Sequence, residues 1–354
     1  MKYFEKKNFK VFYLSPIRSG DVVLDSFNRI GNLGKFEYFD GEGFFSYLGF
    51  ILKTNFKISK EIFSNRKLID YVHFSDMESV ILGGPLCKAI GIKFFYNIHD
   101  NFFQRYELSN ALGLFLKVIE SFYIWLSAVC IVPENFRKTA YPKFVQGKIK
   151  VIRNIPELKL STKRMPFTGN ELRLYYGGWV SPGRDIGLYY DLAFFLMNSG
   201  YRVSFSLCGW GSKEYIGDLK NQFDGIGASF IYHGQLEHHQ AIEILKESDI
   251  SIAFYNPTKK INLLAASNKI PEIIGSNTIL ITNNQTEISK QISEYGISLQ
   301  FGKNISEVFP DLISLIEDKE KLSKFIKRSS KYFNSNFNYA SQIEEMDRIF
   351  SGYV

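Results

Sequence analysis

The sequence predicts an α/β protein built from two doubly wound domains that face each other across a cleft. Three observations carry that expectation. Short runs that are apolar throughout alternate with segments of helix length, as strands buried on both faces of a parallel sheet do. One polar stretch interrupts the rhythm, after which it resumes. At 354 residues the chain is also longer than one core usually organises.

The first strand is read at "FKVFYL" (9–14), followed by "IDYVHF" (69–74), "IKFFYNI" (92–98), "AVCIVP" (128–133) and "KIKVI" (148–152). Segments such as "SNALGLFLKVIESFYIWLS" (109–127) supply the crossover helices of a βαβ series. Residues 153–170, "RNIPELKLSTKRMPFTGN", are polar and carry two prolines and a glycine, so they read as a linker. The rhythm restarts at "ELRLYYGG" (171–178). It continues through "YRVSFSLCG" (201–209), "SFIYHG" (229–234), "ISIAFY" (250–255), "NTILIT" (277–282) and "ISLQF" (297–301). Helical patterns intervene at 187–200 and 238–248, and three helices close the chain from about residue 305. The expected domains are 1–155 and 171–335, with 336–354 a C-terminal helix that packs back towards the first domain.

Composition narrows the classes. A hydrophobic content of 45% excludes disorder. Cys87, Cys130 and Cys208 lie far apart, so neither a disulfide framework nor a metal spacing follows, and a reducing compartment is expected. The apolar run near the start, "VFYL", is too short for a signal-peptide core, and "SFYIWLSAVCIVP" (121–133) is too short to span a bilayer. The charge is unevenly spread. Residues 1–168 hold 25 Lys and Arg against 15 Asp and Glu, while the remainder holds 18 against 21. The first half is therefore expected to meet something anionic.

Within "LLAASNKIPEIIGSNTILIT" (263–282), Asn268, Lys269 and Glu272 open a predicted helix just before an apolar strand. A surface helix carries such a pair as an i,i+3 contact. A nucleotide site uses the same pair differently, with the cation facing phosphate and the carboxylate accepting from ribose hydroxyls.

Several segments in order resemble one family. They are "LYYGGWVSPGRDIGLYYDL", "FSLCGWGSKEYIGDL", "IYHGQLEHHQAIEILKESDISIAFYNP" and "SNKIPEIIGSNTILIT", with "KFFYNIHDNF" and "VIRNIPEL" in the first half. They are similar to GT-B glycosyltransferases, especially the large retaining family 4 of bacterial polysaccharide, O-antigen and capsule synthesis. The resemblance implies two Rossmann-like domains, the second holding a nucleotide-diphosphate sugar. It implies that Arg184 and Lys269 clamp the diphosphate, that Glu272 accepts from the ribose, and that Gly177 and Gly178 end a strand close to the phosphates. Arg184 is expected to open the following helix, Gly209 and Gly211 would turn under the nucleobase, and Asn268 is expected to cap the helix at Lys269. Trp179 stands where relatives often place a basic residue, and Leu264 where they often place a second Glu. In the first domain His99 and Asp100 are the candidate catalytic residues. His99 would donate to the transferred sugar or its phosphate, and Asp100 or Asp21 would be the base if the reaction inverts. The family 4 resemblance favours retention.

The expected donor is a nucleotide-sugar, and the expected acceptor is a saccharide or a polyprenyl-diphosphate-linked saccharide. No metal is expected, because the chain has no D-x-D pair; its nearest equivalent, Asp40 and Glu42, lies in the first half. The segment "FFSYLGFILKTNFKISK" (44–60) puts Phe44, Phe45, Tyr47, Phe50, Ile51 and Leu52 beside Lys53, Lys57 and Lys60. That is the composition of an interfacial helix, so peripheral attachment to the inner face of the cell membrane is expected. It is equally the composition of a buried helix with a solvated lysine edge. A nucleotide-sugar epimerase of the same fold and a degenerate partner subunit are the other readings. A nucleic-acid binder is disfavoured, because no such module is present.

Overall fold

The computed structural model describes residues 44–105, 109–155, 158 and 169–353, with short segments among residues 3–36. The chain divides into two compact units, residues 1–152 with 345–354, and residues 153–344. Most of the predicted linker, and the candidates Asp21, Asp40 and Glu42, lie outside the described residues. Of the predicted first strand, Phe12–Tyr13 is described as a strand, paired with Asn28–Arg29.

In the first unit helix α1 (Phe44–Ser64) leads to strand β1 (Tyr71–Ser75), helix α2 (Gly83–Ala89) and strand β2 (Lys93–Asn97). Helix α3 (Asn110–Leu126) and strands β3 (Val129–Val132) and β4 (Ile149–Val151) follow. The four strands form a parallel sheet in the order β1–β2–β3–β4. The runs are apolar throughout because both faces are covered. Phe94 and Tyr96 of β2 join a core with Ile58 of α1 and Ile124 of α3. Phe95, one residue between them, meets Phe350 and Tyr353 near the chain's C-terminus at ring distances of 4.9 and 5.2 Å. That alternation is the two-residue period of a strand.

The second unit holds β5 (Glu171–Val180), α4 (Gly187–Asn198), β6 (Arg202–Gly211), α5 (Lys213–Gly225) and β7 (Ser229–Gly234). Then come α6 (His238–Lys246), β8 (Ile250–Ala253), α7 (Lys269–Gly275), β9 (Ile279–Asn283), α8 (Glu287–Ser293) and β10 (Leu299–Phe301). The parallel sheet has the order β7–β6–β5–β8–β9–β10. Leu172, Leu174, Phe205, Leu207, Ile250 and Ile279 are fully buried at its centre.

The order reverses between β5 and β8. Strands two and three of this unit build outwards on one side, and the later three build outwards on the other. A crevice must open at the carboxyl ends of the two strands that part there, and that is where open α/β sheets bind ligands. Strands β5 and β8 pair only at Leu174 and Tyr175 with Ile250 and Ser251. Beyond that point a side chain replaces the ladder. The Tyr189 hydroxyl donates to the Tyr175 carbonyl at 2.7 Å and accepts from the Ile252 N–H at 2.8 Å.

Strands β5 and β6 run longer than the sequence suggests. They pair over ten residues, with Gly178 opposite Gly209 and Trp179 opposite Trp210. Gly177 and Gly178 therefore lie inside a strand, and Gly209 and Gly211 make no turn. The reason is steric. A Cβ on Gly209 would stand 1.8 Å from the Gly178 carbonyl oxygen, and one on Gly211 would stand 2.2 Å from that of Val180. Glycine lets the two backbones approach where a turn was expected. A Gly209→Ala variant is expected to lose about 1–3 kcal/mol of stability by overpacking. Gly183→Ala, where a Cβ meets nothing within 4 Å, is expected to be near neutral. Equal unfolding temperatures for the two variants would contradict this packing.

Candidate functional site

The crevice at the β5/β8 parting is lined by Gly177, Gly178, Gly209, His238, Lys269 and Glu272, among others. Five of these six were predicted from the sequence. The two glycine-bearing strands form one wall, with no side chain between backbone and cavity at Gly178 and Gly209. Helix α7 forms the facing wall. Lys269 is its first residue and Glu272 lies one turn on, so both side chains fall on one side of the helix.

Lys269 reaches across to the glycines. A Cβ on Gly178 would stand 3.7 Å from its Nζ, and the ammonium lies 4.4 Å from the centroid of the Tyr176 ring. Among the described residues no carboxylate comes within ion-pair distance of it. Burial, reinforced by the nearby Arg184 charge and opposed by Glu272, lowers its pKa from 10.5 to about 8. Glu272 is displaced the other way, upwards, by the same burial, with His238 and Lys269 opposing. His238 Nε2 stands 2.9 Å from Glu272 Oε1. A desolvated cation and a desolvated carboxylate held apart in one crevice leave room for an anion at the first and hydroxyl donors at the second.

Arg184 sits at the margin. The sequence placed it at the opening of a helix. It lies instead in the 3₁₀ turn Pro182–Arg184, because Asp185 adopts a left-handed conformation before α4 starts at Gly187. Its guanidinium is exposed and packs 5.4 Å from the Trp179 ring, and its charge bears on Lys269 and Tyr176. Asn268 does not cap α7. Its backbone is already helical and its side chain makes no cap bond, while the Ser267 hydroxyl accepts from the Lys269 N–H at 3.2 Å. Gly211 packs strands and does not line the crevice.

Sequence reasoning missed His238 and the Tyr176 ring. The first residue of α6 carried a signal, because "LEHHQ" follows a Gly-ended strand. The Glu237 N–H donates to the Gln240 side chain at 3.2 Å and shapes that helix start. Nothing local marked Tyr176 as a partner of Lys269.

His99 and Asp100 lie in the first unit, on the turn after β2. Asp76 organises that turn from a strained backbone with φ 58°. Its Oδ1 accepts from the His99 N–H at 2.8 Å and from the Asp100 N–H at 3.5 Å. The His99 ring is exposed, with Nε2 3.0 Å from Asn97 Nδ2. Asp100 pairs with the buried Arg137 at 2.9 Å. Glu120, fully buried and pushed up to about 8 by that burial, accepts from the Tyr141 hydroxyl at 2.8 Å and from the Phe102 N–H at 3.3 Å. The turn is thus braced from beneath, and His99 is the side chain it presents. No group of three or more possible metal ligands occurs among the described residues.

Structural comparison finds sucrose-phosphate synthase from Thermosynechococcus elongatus, at TM-score 0.71 and 12% identity over 99% of this chain and 90% of that one. A glycosyltransferase from Rickettsia africae matches at TM-score 0.66 and 14% identity, covering 99% of this chain and 92% of that one. The chain has the GT-B fold. Anabaena HepE, solved in complex with UDP, shares it at TM-score 0.61 and 12% identity, covering 83% of this chain and 82% of that one. No protein-family model matches the sequence, and no curated protein matches it. The GT-B fold accounts for the two parallel sheets of four and six strands.

The displaced pKa of Lys269 makes a pH prediction. An anion bound beside the ammonium favours its charged form, so binding raises a pKa that the free protein holds near 8. Affinity for a nucleoside diphosphate is therefore expected to be level just below pH 8. It should fall as pH rises through that value, by up to about tenfold per unit. Intrinsic fluorescence can follow the titration, since Trp179 and Trp210 stand at the carboxyl ends of β5 and β6. An affinity unchanged up to the lysine's ordinary range would separate Lys269 from the anion.

Proposed function

We propose that the chain is a glycosyltransferase of the family 4 type that moves a sugar from a nucleotide-diphosphate sugar to a saccharide or lipid-linked saccharide. The reaction proceeds with retention and without a divalent metal, in the assembly of a cell-surface polysaccharide. The observation that carries the reading is the desolvated Lys269 ammonium, with no carboxylate at ion-pair distance among the described residues, over the Gly178 backbone at the sheet's reversal point.

In glycosyl transfer the sugar carbon becomes electron-poor as its bond to the diphosphate oxygen breaks, and negative charge builds on the leaving group. Preorganised cations at that group lower the barrier because they need no reorganisation as the charge develops. Lys269 and Arg184 neutralise the diphosphate. Glu272, oriented by His238, accepts from the ribose hydroxyls. His99 donates to the transferred sugar or its phosphate. Asp100, tied to Arg137, holds the His99 turn in shape. The two cations take the place a metal holds in other transferases, so turnover is expected to persist in EDTA. Complete loss, restored by Mn²⁺, would overturn the metal-free part.

The function is tested by thermal unfolding against UDP, GDP, dTDP and CMP. UDP is the first choice, since HepE holds it in the same fold. The right nucleotide at 100 times its dissociation constant is expected to add about 2.7 kcal/mol. No stabilisation by any of the four would remove the donor site. The proposed setting is the cytoplasmic face of the cell membrane, held peripherally. No helix among the described residues is long and apolar enough to cross a membrane.

A further inference from the structure

Helix α3 has an outer face that water does not favour. Leu114, Phe115, Val118, Phe122 and Trp125 are between 48% and 64% exposed. Their spacing of one, three, four and three residues puts them in one stripe along the helix. The opposite side, with Glu120, Tyr123 and Ile124, is buried in the unit's core. A helix with apolar residues on both sides ordinarily lies inside a protein or against something apolar. Phe122 and Trp125 also stack on each other, 6.1 Å apart at 28°, in place of packing inwards.

The neighbouring helices extend the face. Helix α2 contacts both α1 and α3, so the three form one layer on one side of the sheet. On α1, Leu52, Phe56 and Phe63 are 50–68% exposed, whereas Ile51, Ile58 and Ile62 of the same helix are buried. The lysines of this layer are Lys53, Lys57, Lys60, Lys88 and Lys117. Its acidic residues are Glu61 and Glu120, and Glu120 is fully buried. At the C-terminal end of α3, Lys148 donates to the Trp125 and Ser127 carbonyls.

We infer that the α1–α2–α3 layer is a docking surface for an anionic phospholipid bilayer, with α3 lying in the interface plane. The inference rests on the membrane-associated acceptor proposed above and names the surface that meets the membrane. Charge selects the occupant. A second copy of the chain would bring a second set of lysines against the first, with no exposed carboxylate on α3 to pair them. An anionic leaflet supplies the counter-charge that Lys53, Lys60 and Lys88 call for, and aromatic residues at that depth suit the headgroup boundary. Helix α3, at 17 residues, is about 25 Å long, enough to lay its whole stripe along a surface.

The test is cosedimentation with phosphatidylglycerol–phosphatidylcholine vesicles and with phosphatidylcholine vesicles alone, using the full chain. Binding to the anionic vesicles and its release by salt are expected. A Phe115→Ser, Phe122→Ser variant is expected to lose about tenfold or more in partitioning. Nucleotide-induced thermal stabilisation, measured on the same samples, is expected to match that of the parent. It reports on folding and on the donor site independently of the membrane. Equal recovery of the parent in the supernatant with and without anionic vesicles overturns the proposal. So does unaltered partitioning of the double variant, which would leave docking to α1 alone. A dimer in light scattering that the double variant abolishes, without vesicle binding by the parent, overturns it as well and assigns the stripe to a second copy.

Discussion

A Lys269→Met variant is expected to lose nucleotide binding and gain thermal stability in the same protein. Removing a charge-assisted contact costs about 1.5–3 kcal/mol, roughly a tenfold to 150-fold loss of affinity. The gain has a separate cause. In the free protein burial holds the Lys269 pKa well below its ordinary value, so at neutral pH the fold carries a cation that it disfavours. An unbranched apolar side chain of similar length removes that cost and fills the same space. A residue kept for packing alone would show the opposite pattern, with stability lost and binding unchanged. Glu272→Ala is expected to weaken binding by a similar factor, since it removes the carboxylate that His238 orients. Lys269→Met with parental affinity for every nucleotide would sink the donor site.

His99→Ala is expected to lower turnover by about 10²–10³-fold while leaving the unfolding temperature unchanged. The second half of that expectation comes from the geometry. The His99 ring is exposed and its nitrogen meets Asn97, while the contact that holds the turn is its backbone N–H on Asp76, which alanine keeps. Asp76→Ala is the contrasting variant. It removes the acceptor of two consecutive N–H groups and is expected to lower both stability and rate. A His99→Ala enzyme with the parental rate would reduce the residue to surface decoration of the turn.

The strands were legible because a strand covered on both faces leaves an uninterrupted apolar run. "IKFFYNI" and "NTILIT" contain β2 and nearly all of β9, and both are walled in by helices or aromatic rings. Ends were less legible. Strands β5 and β6 run past their glycines because two glycines meet across the ladder, a relation between residues 31 apart that no window along the chain contains. Asn268 was read as a cap because asparagine favours that position, but its helical backbone and the Ser267 hydroxyl displaced it. Helix α1 was read as the interfacial segment on composition. The structure buries Ile51, Ile58 and Ile62 of that helix and, among the described residues, exposes a further apolar stripe on α3, a segment that in sequence looks like an ordinary crossover helix.

By itself the sequence determined the α/β alternation, the change of charge between its halves, and the placing of Lys269 and Glu272 one helical turn apart. These are local properties, set by period, composition and spacing. Only the tertiary structure decided that Lys269 lies over Gly178 and the Tyr176 ring, that His238 meets Glu272, and that Arg184 stays at the margin. The strand order decided it too, by opening the sheet between β5 and β8 and not elsewhere. Burial is a property of the surroundings, so the displaced pKa of a lysine becomes readable only when the chain that surrounds it has folded.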